Sequence, residues 1–295
     1  MGQALNEFIE IRGARLRVRT AGAGPAVLLV HGWALDLDMW TPQFAALAGR
    51  YRLIAFDRRG FGLSSGTPGI EEDLSDIYEL LATLAVEHVA IVGMSQGARV
   101  ALRWAIESPA TTTSLVLDGP PRDLLATGRQ QGEITLATYR ELVRNAGIDA
   151  FRKEWLEHPL MHLHTHDTRT RTLVREMVER YPGHDLLASD APVERPAGFP
   201  GCAPCGRAVL GQVGDLDRLE VPVLIVNGEY DSDTRIGAGA ELARALPQAR
   251  LAVIPGAGHL SNLDNPHAYN KVLGEFLAGH ARAAASSEYV SCRAE

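Results

Sequence analysis

Apolar and polar residues alternate early in the chain, and the period then changes. Phe8-Ile-Glu-Ile-Arg12 and Leu16-Arg-Val-Arg19 alternate in the manner of a half-buried antiparallel strand pair. From Ala26 the apolar runs become continuous. Ala26-Val-Leu-Leu-Val30 contains no polar position, as expected of a strand buried on both faces of a parallel sheet. Short runs at Tyr51–Phe56, Val89–Val92, Ser114–Leu117, Val221–Val226 and Leu251–Ile254 have the same character. Helical periodicity fills most intervals between them, over Trp40–Ala48, Leu74–Leu84, Gln96–Glu107, Gly239–Ala245 and Pro266–Gly279.

This alternation predicts an α/β fold with a mostly parallel central sheet, covered by helices on both faces. Ligands of such sheets bind beyond the carboxyl ends of the strands. Unusual polar residues fall at those ends repeatedly: His31-Gly-Trp33, Asp57-Arg-Arg-Gly60, Gly93-Met-Ser-Gln-Gly97, Asp118-Gly-Pro-Pro121, Gly228-Glu-Tyr-Asp231 and Gly256-Ala-Gly-His259. Between about Arg122 and Asp217 the strand pattern lapses. Amphipathic helices are expected there over Glu133–Asn145, Asp149–Glu157 and Arg169–Tyr181, then a polar Pro- and Gly-rich piece over Pro182–Gly214. The expected organisation is therefore a core of residues 1–121 and 215–280 and a helical lid of residues 122–214 inserted over the strand ends. Hinge-like segments, Asp118–Pro121 and Gly211–Asp217, flank the lid, and residues 281–295 read as a frayed tail.

The strand–turn–helix context of Gly93-Met-Ser95-Gln-Gly97 is that of a nucleophile elbow. Ser95 sits at the sharp turn, and Gly93 and Gly97 let strand and helix approach closely around it. A serine hydroxyl needs an adjacent base, and the partners follow in the order nucleophile, acid, histidine. His259, in a glycine-rich loop, is the candidate base. Asp231 is the leading candidate acid, with Glu229 and Asp233 as competitors. The oxyanion of an attacked carbonyl needs backbone amides, for which Gln96 and Trp33 are placed, while His31 and Gly32 shape the turn. His31 is read as a structural hydrogen-bonder.

Taken in order, His31-Gly-Trp33, Asp57-Arg-Arg-Gly-Phe-Gly-Leu-Ser64, Gly93-Met-Ser-Gln-Gly97, Gly228-Glu-Tyr-Asp231 and Gly256-Ala-Gly-His-Leu-Ser261 resemble the recurring motifs of the α/β-hydrolase fold. Gly258-His-Leu-Ser-Asn-Leu-Asp-Asn-Pro266 is similar to the branch of 3-oxoadipate enol-lactonases and its carboxylesterase, cofactor-free haloperoxidase and C–C hydrolase relatives. The resemblance implies a Ser95–Asp231–His259 triad. Gln96 departs from the commoner Met, and Ala98 stands where many members carry a third glycine. The expected activity is hydrolysis of an ester or lactone of a small to medium organic substrate through an acyl-enzyme. C–C hydrolysis, lyase, cyclase or acyltransferase chemistry and a non-catalytic ligand cage are the competing readings.

Composition adds exclusions. With 29 basic and 36 acidic residues the formal charge is −7, which argues against a non-specific nucleic-acid binder. No apolar run reaches membrane-spanning length, and the first residues lack the apolar core of a signal peptide. A cytoplasmic monomer or homodimer acting on a small molecule, without cofactor or metal, is expected. His158, His162, His164 and His166 cluster without a clear companion ligand set, and Cys202-Ala-Pro-Cys205 lies outside any redox-active helix context, with Cys292 remote. Met94, Met161 and His162 are candidate pocket-lining residues. Arg58 and Arg59 are read mainly as loop braces.

Overall fold

The computed structural model describes residues 5–124, 134–187, 216 and 219–287. Cys202, Cys205, Cys292 and nearly all of the hinge at 211–217 lie outside them. Eight strands, β1 (Leu5–Ile11), β2 (Ala14–Ala21), β3 (Ala26–Val30), β4 (Arg52–Phe56), β5 (Val89–Met94), β6 (Thr112–Asp118), β7 (Val223–Gly228) and β8 (Ala249–Ile254), form one sheet in the order β1-β2-β4-β3-β5-β6-β7-β8. The first two pair antiparallel through a tight turn in which Arg12 and Gly13 both have positive φ, the geometry that matches strand twist. β2 also runs antiparallel to β4, and all later pairings are parallel. β7 starts two residues later than the apolar run, because Pro222 has no amide to donate and contributes only its carbonyl, to Leu115.

Strand residues alternate between two cores. Val27, Leu29, Leu53, Ala55 and Val92 pack with Phe44 and Leu47 of α1 (Thr41–Leu47) and with Leu273, Phe276 and Leu277 of the C-terminal helix. Leu28, Val30, Ile54, Phe56 and Ile91 face Ile77 and Leu80 of α2 (Ile70–Thr83) and Val100, Ala101 and Trp104 of α3 (Gln96–Glu107). The continuous apolar runs of β3 to β7 thus reflect burial on both faces, whereas β8, read from its sequence in the same way, lies at the sheet edge and leaves Leu251 and Val253 exposed.

Between β6 and β7 come α4 (Leu136–Ala146), α5 (Ile148–Leu156), α6 (Thr168–Arg180) and a short α7 (His184–Leu187). The first three match the expected lid helices closely; α7 falls inside the stretch expected to be loop. Phe151, Trp155, Val174, Met177 and Tyr181 of this region join the first core. Arg180 of α6 also pairs with the buried Asp36 at 2.8 Å and with Asp38 at 2.7 Å. After β7 come α8 (Asp233–Ala245), α9 (Ser261–Asp264) and α10 (Pro266–Ser287). The last helix continues into the expected tail, because the alanines of Ala281–Ala285 favour helix and small size alone is no sign of fraying. No helix among the described residues is long and apolar enough to cross a membrane.

The sheet's carboxyl edge carries carboxyl groups into the interior. Asp57 accepts the amides of Leu37 and Leu63, both at 2.8 Å, yet burial and then the neighbouring Asp36 charge push it up to about 7. Burial raises Asp73 to about 6, with Arg58 at 3.0 Å opposing. Asp118, with the Ser261 hydroxyl at 3.0 Å, is raised by burial to about 8. Unfolded carboxyls titrate near ~3.9, so the folded chain holds protons that the unfolded chain has released. Stability from these groups is therefore complete below about pH 4 and is lost as pH rises through about 6 to 8. Asp118→Asn should gain stability over the parent as pH rises, by a few kcal/mol more near pH 9 than near pH 5. Urea unfolding at both pH values checks this, and an equal effect at both would contradict it.

Candidate active site

Ser95 joins β5 to α3 with φ +53° and ψ −112°, a conformation that costs a non-glycine residue about 1–3 kcal/mol. Its neighbours make the turn possible. A Cβ on Gly97 would lie 2.3 Å from the carbonyl oxygen of Val30, and one on Gly93 would lie 2.2 Å from that of Gly97. The Ser95 amide donates to the Asp118 carbonyl at 2.7 Å, fixing the turn against the end of β6. The Ser95 side chain makes no capping bond, so the first amides of α3 stay open toward the hydroxyl's side of the turn.

His259 and Asp231 meet across the ends of β7 and β8. The ring Nδ1 lies 3.0 Å from Asp231 Oδ2, and both residues are buried. Asp231 Oδ1 accepts the Ser232 amide at 2.8 Å. Burial alone would raise the Asp231 carboxyl. The His259 charge and hydrogen bond, the Ser232 amide and Arg235 together hold it below its ordinary value. The competitors face elsewhere: Glu229 accepts the Gly256 amide at 2.7 Å, and Asp233 opens α8 behind its Ser232 cap. Gly119 lies against the pair, since a Cβ there would be 2.7 Å from His259 Cε1 and 3.4 Å from Asp231 Oδ2. Gly119 thus packs against the His259–Asp231 pair, while the preceding Asp118 carbonyl holds the Ser95 amide.

The turn after β3 is braced from below. His31 Nε2 accepts the Arg58 amide at 2.9 Å, and its Nδ1 donates to the Gly32 carbonyl at 2.8 Å. Burial, then Arg58, pushes its pKa well down, so this ring is a neutral hydrogen-bonder. Met94 is buried with its sulfur against Gly32. Arg58 donates to Asp73 and to the side-chain Oε1 of Gln96, and Arg59 forms a two-point pair with Asp76. Both arginines are buried braces.

A cavity of about 310 Å³ opens on Ser95, Trp33 and Gln96. Its walls include Ile70, Pro121, Ile134 and Leu136, with Arg99 and Arg122 among the polar lining. Met161 and His162 are elsewhere, in a separate cavity of about 600 Å³ between α5 and α6. His158 stacks on Trp155, and His162 and His164 pack together beside Tyr230. Among the described residues no three His, Cys, Asp or Glu side chains gather as metal ligands would.

The sequence places Gly119 in a hinge-like strand-end segment and Asp264 in the motif after His259, without assigning either a part in the site. Asp264 Oδ2 accepts the Gly258 amide at 2.8 Å, while its Oδ1 accepts the amides of His164 and Thr165 at 2.8 and 3.0 Å. One carboxylate therefore ties the His259 loop to the lid. The glycine at a strand end was a usable signal for Gly119; no local pattern marks Asp264.

The fold has parallels among solved structures. A hydrolase from Pseudomonas aeruginosa PA01 shares 27% identity with a TM-score of 0.73, over 92% of this chain and 98% of its own. A thermophilic esterase from Thermogutta terrifontis shares 25% with a TM-score of 0.72, over 95% and 100%. The enol-lactonase of Burkholderia xenovorans LB400 has the same fold at 24% identity and TM-score 0.72, over 92% and 100%. Residues 25–266 also match the family model described as alpha/beta hydrolase fold, and the chain is a member of the α/β-hydrolase fold family.

Proposed function

We propose that the protein is a serine hydrolase that cleaves an ester or lactone through an acyl-enzyme. The observation that carries this reading is the Asp231–His259 pair at 3.0 Å, linked through Gly119 and the Asp118 carbonyl to the elbow that holds Ser95 in a strained turn. His259 takes the Ser95 proton as the hydroxyl attacks the carbonyl carbon, and Asp231 orients the imidazole and stabilises its charged form. The amides of Trp33 and Gln96 receive the tetrahedral oxyanion. Collapse of that intermediate expels the alcohol, which takes its proton from His259. Water, deprotonated by the same ring, then attacks the acyl-enzyme, and the carboxylic acid leaves Ser95 free. A cavity of about 310 Å³ suits a small substrate, and the esterase and enol-lactonase neighbours act in the same chemical class.

A short-chain p-nitrophenyl ester should give a burst equal to the enzyme concentration, and Ser95→Ala should remove it and lower turnover by at least about a thousandfold. A fluorophosphonate should label the parent but not the variant. Turnover that survives Ser95→Ala would sink the covalent mechanism. Gly119→Ala should lower kcat about a hundredfold by displacing the His259 ring, while circular dichroism stays that of the parent. Full activity in that variant would show that the ring position is not set there.

A further inference from the structure

The oxyanion donor at Trp33 sits in a turn that no strand pairing orients. β3 ends at Val30, and Ala34 adopts a positive φ of 56° directly after the residue that must present its amide. From below, the turn is braced through His31 and Gly32. From above it is held by the lid. The Trp33 indole Nε1–H donates to Asp185 Oδ2 at 2.6 Å, across 152 residues of chain. Asp185 is itself fixed: Tyr181 donates its hydroxyl to Oδ1, and Arg140 reaches the Asp185 carbonyl at 3.4 Å. The Trp33 ring stands edge-on to Trp155 and Phe151, with centroids 4.8 and 5.3 Å away.

Each contact controls a different freedom. Edge-on aromatic packing limits the tilt of the indole but tolerates sliding along the neighbouring faces. A charge-assisted hydrogen bond to one ring atom fixes how deep the ring sits. The ring hangs through Cβ from the Cα that also carries the Trp33 amide, so fixing the ring restricts how that Cα and its amide can turn. Burial, and then the Asp185 charge, raise the Tyr181 phenol, which keeps it a neutral donor to Asp185 rather than a competing anion.

We infer that Asp185 is a positioning residue, holding the Trp33 indole so that the Trp33 amide faces the oxyanion formed at Ser95. This rests on the serine-hydrolase reading, and it makes the lid a structural part of the oxyanion hole. It follows that losing the bond should weaken stabilisation of the tetrahedral intermediate more than substrate binding.

The test compares Asp185→Ala, Asp185→Asn and Trp33→Phe in the full chain, on the same p-nitrophenyl ester. Asp185→Ala should lower kcat about 10- to 100-fold, with KM within about threefold of the parent. Asp185→Asn keeps an acceptor oxygen and should recover most of that loss. Trp33→Phe removes the donor while leaving Asp185 intact, so it should match Asp185→Ala, and the double variant should be no worse than either alone. Fluorophosphonate labelling, which forms a tetrahedral adduct in the same hole, should slow in parallel. A rise in KM at unchanged kcat, or losses that multiply in the double variant, would overturn the assignment. Should Asp185→Ala not fold, Trp33→Phe and Asp185→Asn still decide it. Full kcat in all variants defeats only the role of Asp185, because parent turnover then stands. Absence of both turnover and labelling in the parent defeats the hydrolase reading, and the inference with it.

Discussion

The close approach of backbone at the β5–α3 turn is the constraint from which the rest of the site is built. β3, β5 and the start of α3 come together so tightly that the Val30 and His31 carbonyls occupy the space a Gly97 side chain would need. That approach forces Ser95 into a left-handed conformation, and the strain persists because the surroundings over-determine it. The Ser95 amide then pins the Asp118 carbonyl, which places the end of β6. Gly119 follows at once, with the His259 ring filling the space where a Cβ would stand. One steric condition at the elbow is thus passed from residue to residue until it reaches the imidazole.

Electrostatics sorts the carboxyl groups gathered at this edge. Asp118 and Asp231 are both buried and close enough to repel, yet they shift in opposite directions. The difference lies in their partners. Asp231 faces His259, Arg235 and an amide, all of which favour a negative charge. Asp118 has neutral hydroxyl partners, and burial leaves it the group that keeps its proton. The result is a single negative charge beside the imidazole rather than two in conflict.

Much of this was legible in the sequence, for a physical reason. Strands buried on both faces leave continuous apolar runs, and a parallel sheet delivers its functional residues at strand ends, so Ser95, Asp231 and His259 stand out beside glycines. The same logic separated Asp231 from Glu229 and Asp233 only weakly, because three carboxylates within five residues differ in direction, and direction is a property of the folded turn. Trp33 with Asp185, and Asp264 with His164, are joined across 152 and 100 residues, and no local pattern encodes such pairs. Met161 and His162 lie next to apolar lid residues in sequence, but α6 packs so that they face a second cavity. The extension of α10 was obscured by composition, since alanine reads both as small and as helix-forming.

The lid's contacts argue against treating it as a simple gate. It meets the core through Arg180 on Asp36 and Asp38, through the Trp33–Asp185 bond, and through the His164 and Thr165 amides on Asp264. Two of these three ties end on the turn that carries Trp33 and on the loop of His259, the segments that the proposed mechanism places around the reacting carbonyl. Lifting α5 and α6 away would therefore separate Trp155 and Phe151 from the Trp33 ring as it opened the roof. An enzyme built this way keeps its donors aligned while the lid is seated. On the proposed serine-hydrolase reading the substrate meets the walls of the Ser95 cavity, with Ile70, Ile134 and Leu136 on the apolar side and Arg99 and Arg122 on the polar side. Because Ile134 and Leu136 come from the lid and Ile70 from the core, changing the lid sequence alters the substrate's surroundings and the oxyanion turn together.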